Sequence, residues 1–253
     1  MAYRIEENTA GYLVFVIDRQ EKRNAINYEI MKGLSEVIEL AKSSNVKALV
    51  ITASGDRAFC SGGDLSVFHQ LETEQEAYVM LKKMSDILYE LLTLPIPTIA
   101  LMNGTAVGGG CEIATACDFR LARTGIKAGF VQGNQAITTG WGGGSILVEK
   151  FAYTECFKLL LEAKIVPAHY LREIGFIDEL YDGDSTEACE RFLENIIHKE
   201  IGVLKSYKNM YIRKWEQAGL RRKIDEEVRQ CAILWESEAH HKYVLQFLNK
   251  KKS

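Results

Sequence analysis

Three prolines in 253 residues leave no Pro-rich linker to divide the chain. No apolar run approaches the roughly 20 residues that a membrane helix needs, so no membrane partner is expected. The first residues, Met1 to Glu7, lack the apolar core of a signal peptide, and a soluble cytoplasmic protein is the expectation. The six cysteines (Cys60, Cys111, Cys117, Cys156, Cys189, Cys231) show no CxxC spacing. Several sit in apolar or small-residue runs and read as buried free thiols of a reducing compartment. The five histidines are scattered, and His240 and His241 are adjacent rather than four apart, so no metal site is expected. An excess of basic charge is missing too. A net charge of −3 and a pI near 6.0 point to no polyanion-binding surface, and no nucleic-acid partner is expected.

What is present is a large apolar fraction, 47%, enough for one large domain or a domain with a small appendage. Residues 12–17 read as a buried strand, and residues 28–42 carry apolar side chains at 30, 31, 34, 37, 38 and 41, which is helical spacing. A strand at 48–52, a long amphipathic helix at 74–92 stopped by Pro95 and Pro97, and a strand at 98–102 follow. This alternation predicts an α/β fold with helices packed over sheets. From about residue 154 the pattern is almost wholly helical: 154–163, 168–173, 185–200, 203–217 and 220–249, with a break near Gly219. No repeat period supports a solenoid.

The most informative stretch is 103–118. Gly108, Gly109 and Gly110 follow the strand at 98–102 and precede a small-residue run, Cys111 to Cys117, that reads as a helix. A glycine turn at a helix N-terminus presents free backbone N–H groups and the positive end of the helix dipole. Glu112 falls within the first helical turn. A second glycine turn, Gly62 and Gly63 within residues 59–65, follows the strand at 48–52. Two such turns can each aim one N–H at a single oxygen, as an oxyanion hole requires. Taken singly, each turn also suits tight packing, and Glu112 also suits a carboxylate that complements the helix dipole.

Together with their flanks, these turns resemble the crotonase superfamily, the enoyl-CoA hydratase/isomerase family. The resemblance runs through residues 20–26, 58–64, 103–118, 141–144 and 247–250. It implies a ββα spiral core with an acyl-CoA site over residues 1–195, and a C-terminal helical trimerisation region over 196–253. It further implies trimers or dimers of trimers. No separate cofactor is implied, because coenzyme A belongs to the substrate, an acyl-CoA thioester. By the same resemblance the N–H groups of Gly63 and Gly109 form the oxyanion hole, and Lys22, Arg23 and Ala25 touch the coenzyme A nucleotide. Ala58, Ser61, Asp64 and Leu65 cradle the adenine and pantetheine arm. Trp141 walls the acyl pocket, and Phe247 and Lys250 reach coenzyme A from the tail.

The departure from the family pattern lies in the second carboxylate. Two-glutamate hydratases carry Phe-Gly-Gln-Pro-Glu after the helix, whereas this chain has Phe-Val-Gln-Gly-Asn, ending at Asn134. An asparagine hydrogen-bonds but does not exchange a proton near neutral pH, and general acid–base help is typically worth ~10²–10⁴-fold. Decarboxylation of a substituted malonyl-CoA needs no base to form the enolate, only the oxyanion hole and a later proton donor such as Glu112. Gln132 and Asn134, polar but neutral, tolerate a substrate carboxylate, and Asn134 is expected to face Glu112 from the other side of the site. Residues 115–121, 140–143, Leu234 and Trp235 also resemble the ethylmalonyl-CoA decarboxylase branch. An acyl-CoA lyase is therefore expected, with decarboxylation placed slightly ahead of hydration by Glu112 alone and isomerisation behind both. The competing class is a catalytically degenerate CoA- or RNA-binding protein of the same fold.

Overall fold

A computed structural model describes residues 1–250, the side chains of Phe247, Leu248 and Lys250 excepted. The chain opens with an antiparallel pair, β1 (Tyr3–Asn8) and β2 (Tyr12–Ile17), followed by α1 (Tyr28–Ser43). A strand–strand pattern then recurs. β3 (Leu49–Ala53) is followed by β4 (Ala58–Cys60) and the helices α2 (Leu65–Phe68) and α3 (Glu74–Leu92). β5 (Thr98–Met102) is followed by β6 (Thr105–Val107) and α4 (Gly109–Ala116). β7 (Phe119–Arg123) is followed by β8 (Lys127–Gly129), a 3₁₀ turn (Gln132–Gln135) and α5 (Gly143–Lys150). The remaining elements are α6 (Tyr153–Glu162), β9 (Val166–Pro167), α7 (Ala168–Glu173), β10 (Glu179–Tyr181), α8 (Ser185–Ile197), α9 (Ile201–Gln217), α10 (Leu220–Trp235) and α11 (Glu238–Lys250).

The first strand of each unit enters a large sheet ordered β1-β2-β3-β5-β7-β10, parallel from β2 onward. The second strand enters a small sheet ordered β4-β6-β8-β9, whose first three strands are parallel. This is the ββα spiral that the sequence led us to expect.

Alternation explains why the large sheet is apolar on both faces. Phe15, Ile17, Leu49, Ile51, Ala100 and Met102 face the main core. Their neighbours Tyr12, Val50, Ile99, Leu101 and Leu121 face a second layer closed by Ala188, Cys189 and Leu193 of α8. All six cysteines are buried and free. No helix among the described residues is long and apolar enough to cross a membrane.

The structure departs from the sequence reading in particular places. The single helix expected over 220–249 is broken after Trp235, because the Ser237 hydroxyl accepts from the His240 N–H and starts α11 afresh. β1, β4, β6 to β10, α2 and α5 had not been anticipated. β1 is an edge strand with no buried residue, and the other strands run for only two to five residues.

Close approach between successive units depends on Gly110. A Cβ there would lie 2.2 Å from the Cys60 carbonyl oxygen, so α4 sits directly on β4. Gly110→Ala is expected to destabilise the fold by about 1–3 kcal/mol through overpacking, measured as a lowered midpoint in chemical denaturation.

Candidate active site

Three neighbouring parallel strands, β4, β6 and β8, end at the same edge, and the chain leaving each of them lines one cavity of about 90 Å³. Ligands of open α/β sheets bind at such carboxyl ends. After β4, Gly63 forms a parallel bridge with Ile26. Ile26 N–H donates to the Gly62 carbonyl (2.9 Å) and Asp64 N–H donates to the Ile26 carbonyl (2.8 Å). In that pattern the Gly63 N–H points away from Ile26. After β6, Gly109 is the first residue of α4, where N–H groups lack intrahelical acceptors. Among the described residues neither the Gly63 nor the Gly109 N–H has a hydrogen-bond acceptor. The two turns abut, since a Cβ on Gly62 would lie 3.3 Å from the Gly109 nitrogen. Both Gly63 and Gly109 line the cavity.

Glu112 lies one helical turn into α4 and is 2% exposed. One carboxyl oxygen accepts from the Gln132 amide (2.9 Å); the other accepts from the backbone N–H groups of Trp141 and Gly143 (2.9 Å each). Burial, and then the nearby Glu227 carboxylate, push its pKa up to about 8 against those hydrogen bonds. Trp141 closes the cavity over Gly109: a Cβ on that glycine would lie 2.1 Å from the indole ring.

The other sequence-predicted residues divide. Ser61, Leu65, Gln132 and Trp141 line the cavity. Lys22 and Arg23 are exposed on a turn tied to its rim, where Ser61 N–H donates to the Arg23 carbonyl at 3.2 Å. Asn24 anchors that turn, donating to the Ser54 (3.0 Å) and Ala58 (2.7 Å) carbonyls. Ala25 and Ala58 are buried and contribute backbone carbonyls to this anchoring, Ala25 accepting from Arg19 at 2.6 Å. The side chains of Phe247 and Lys250 lie outside the described residues.

Two expectations are corrected. Asn134 does not face Glu112 across the cavity: it is exposed, and its amide donates to the Ala163 carbonyl at 2.7 Å. The 3₁₀ turn after β8 rotates it outward and brings Gln132 and Gln135 to the cavity instead. The Asp64 side chain is not presented to a ligand. It is 4% exposed, caps α2 through Ser66 N–H (3.0 Å) and pairs with Arg19 at 2.8 Å.

Several lining groups had no signal in the sequence. Met80 and Leu81 of α3 and Cys231 of α10 complete the wall, and Trp235 of α10, noted only for its resemblance, joins them. Among the described residues, the buried Gln132 amide oxygen has no partner. A larger hollow, about 580 Å³, lies elsewhere, between α9 and the edge of the core. Its charged groups are engaged with one another or with carbonyls: Lys208 with Asp118, Arg120 with Asp178, and Lys150 with the Thr115 and Cys117 carbonyls. None of the groups described around Glu112 lines it.

Methylglutaconyl-CoA hydratase, mitochondrial, from Mus musculus is 30% identical over 179 residues, 70% of this chain and 57% of that protein. Ethylmalonyl-CoA decarboxylase from Xenopus tropicalis is 32% identical over 212 residues, 82% of this chain and 70% of that one. The chain thus spans little more than half the length of the mouse relative. In fold, the crystal structure of an enoyl-CoA hydratase/isomerase from Xanthobacter autotrophicus Py2 matches with a TM-score of 0.90 at 22% identity, covering 98% of this chain and 93% of that one. The family model described as enoyl-CoA hydratase/isomerase matches residues 7–253. A match of that extent settles descent: the chain belongs to the enoyl-CoA hydratase/isomerase family, within the crotonase superfamily.

Proposed function

We propose that this chain is an acyl-CoA lyase that releases CO₂ from a short substituted malonyl-CoA. The observation that carries the reading is the setting of Glu112: buried, hydrogen-bonded to amides and paired with no cation among the described residues, so that burial pushes its pKa up to about 8. A neutral carboxyl donates a proton. It also spares a malonyl carboxylate the repulsion of a second negative charge, roughly 4 kcal/mol at 4 Å for an effective dielectric of 20. The cavity has the room of about three water molecules, which suits a short acyl group.

In this reading the thioester oxygen accepts from the Gly63 and Gly109 N–H groups. The bond between Cα and the free carboxylate breaks, its electron pair passes into the thioester enolate, and CO₂ leaves. The enolate then collapses, Cα takes the proton of Glu112, and water restores that proton. Gln132 orients the substrate carboxylate. Its amide oxygen and nitrogen are distinguishable only by their partners. When Glu112 is protonated, its O–H donates to the Gln132 oxygen and the Gln132 NH₂ group faces the cavity. Lys22 and Arg23, on the rim, meet the coenzyme A phosphates, and Ala25, Ser61 and Leu65 border its path. Self-association belongs to the same reading, supported by exposed Tyr207, Met210 and Tyr211 on α9 and Tyr153, Phe157 and Leu161 on α6.

The second reading is hydration by a single glutamate, favoured by the likeness to methylglutaconyl-CoA hydratase. The two relatives share one chemical feature, since ethylmalonyl and methylglutaconyl are both acyl groups of dicarboxylic acids. The pH dependence separates the readings. Glu112 as proton donor works below its pKa, so CO₂ release is expected to fall as pH rises through about 8. Glu112 as a base for water works above it, and crotonyl-CoA hydration would rise through the same range. Rates with ethylmalonyl-, methylmalonyl- and crotonyl-CoA from pH 6 to 9.5 decide. Hydration at ordinary enzymatic rates with both malonyl esters intact would sink the decarboxylase reading.

Cavity-facing position, rather than sequence register, should govern added charge. Asn134→Glu is expected to leave CO₂ release within about twofold, because its side chain points outward. Gln135→Glu, on the cavity wall, should lower it by roughly tenfold or more. Equal loss in both variants would count against the geometry.

The protonation of Glu112 is also visible without any substrate. Its folded pKa lies above its unfolded one, so between about pH 4.5 and 8 the folded chain holds a proton that the unfolded chain has released. Stability from this group is present at low pH and is lost as pH rises through about 8. Glu112→Gln removes that dependence, and its stability relative to the native chain should climb by a few kcal/mol from pH 5 to pH 8.5, read from denaturant midpoints. A constant difference would show that Glu112 is ionised in the folded protein.

A further inference from the structure

Beyond Glu112, the structure buries a second carboxyl that the proposed reaction does not use. Glu227 projects from α10 to the junction of the glycine loop with α5. It accepts from the backbone N–H groups of Gly144 (3.1 Å) and Ser145 (2.6 Å). The Ser145 and Thr139 hydroxyls donate to it as well. Glu112 grips the same loop from the other side, through Trp141 and Gly143. The amides of residues 141 and 143 thus serve one carboxyl, and those of 144 and 145 the other. The loop is a single backbone layer between them. A Cβ on Gly143 would lie 2.4 Å from the Glu112 side chain, and one on Gly144 would lie 3.3 Å from a Glu227 oxygen.

We propose that Glu227 is a positioning residue for Glu112: it clamps the 142–145 loop from the far side and lodges a negative charge one backbone layer away, which keeps Glu112 in its proton-donating form. The proposal rests on the reading of Glu112 as the proton donor.

Two acids that close do not ionise together in a buried site, so one holds the proton. Burial raises both acids, and their donors are equal in number: Glu227 accepts from the Gly144 and Ser145 amides at the start of α5 and from the Ser145 and Thr139 hydroxyls, and Glu112 from the Gly140, Trp141 and Gly143 amides and from Gln132. In the proposed state the charge is on Glu227 and the proton on Glu112, where the Gln132 amide can turn its oxygen to receive it. Burial contributes most to the raised pKa of Glu112, and Glu227 is the charged group that adds to it. The other ionisable groups close to Glu112 are the Cys111 and Cys231 thiols, which burial keeps neutral. α10 thus sets the acidity of a residue on α4 without touching the substrate.

The test is a pH titration of the neutral carboxyl band of Glu112 by infrared spectroscopy, the band being assigned by its loss in Glu112→Gln. In the native protein the band should be present at pH 7 and disappear around pH 8. In Glu227→Gln, which keeps a hydrogen-bond acceptor but not the charge, the midpoint should fall by about one unit or more. The alkaline limb of the pH–rate profile should move with it while KM holds. Glu227→Asp, which restores the charge, should bring the midpoint back. Should Glu227→Gln fail to fold, Ser145→Ala gives the second reading: it withdraws a donor from Glu227, so the pair shares its proton more evenly and the Glu112 midpoint falls. A native band absent at pH 7, or a midpoint unmoved in the variant that folds, overturns the proposal. If no CoA thioester is turned over, the functional reading fails, while the band and its midpoint still decide the role of Glu227.

Discussion

The site depends on one constraint: a carboxyl enclosed by the fold with only amide donors around it. Burying such a group raises its pKa by as much as three to five units. The amides of Gln132, Gly140, Trp141 and Gly143 that reach Glu112 offset only part of that, and its pKa stays at about 8. An arginine in place of Gln132 would have made Glu112 an anion at every physiological pH. As built, burial shifts the group toward its neutral form, so in the proposed reaction the choice between proton donor and proton acceptor is made by burial rather than by the identity of the residue.

The same constraint explains the small residues around it. The amides that hold Glu112 come from a loop that must pass against its side chain, and the two glycine turns that line the cavity must abut. Both demands are met where backbone packs on backbone. α4 rests on β4 through Gly110, and the Trp141 ring rests on Gly109. Parallel strands make this possible because β4, β6 and β8 end side by side. Each successive unit delivers one wall of the cavity from the same edge of the small sheet.

How much of this was legible in the sequence follows from range. The glycine turns and Glu112 are local signals, each set within a few residues of a strand, and they appear in the structure where the sequence put them. Residue 134 was legible as the point of departure from the family pattern but not in its orientation. The 3₁₀ turn from Gln132 to Gln135 rotates side chains by about 120° per residue, so one position faces the cavity and the next but one faces out. Asp64 was misread for a similar reason. Its motif places it beside the site, but Arg19, distant in sequence, takes its carboxylate. Glu227 gave no signal, because an acid on an amphipathic helix reads as solvated until the packing of α10 on α3 and α5 is known.

That packing changes what the helical tail is for. The resemblance assigns this region to assembly, yet α10 supplies Cys231 and Trp235 to the cavity wall as well as Glu227 behind the glycine loop. α11 reaches the site at one remove. His240 Nδ1 lies 2.7 Å from the Gln135 carbonyl oxygen, and its ring packs on Trp235 with centroids 4.7 Å apart. Burial lowers the pKa of His240, so near neutrality the ring is uncharged and Nδ1–H is the donor to that carbonyl. The 3₁₀ turn that presents Gln132 and Gln135 is thereby held from α11, while the glycine loop is held from α10. Both sides of the Glu112 carboxyl are thus fixed by helices far along the chain, whereas the two glycine turns are set by the strands just before them.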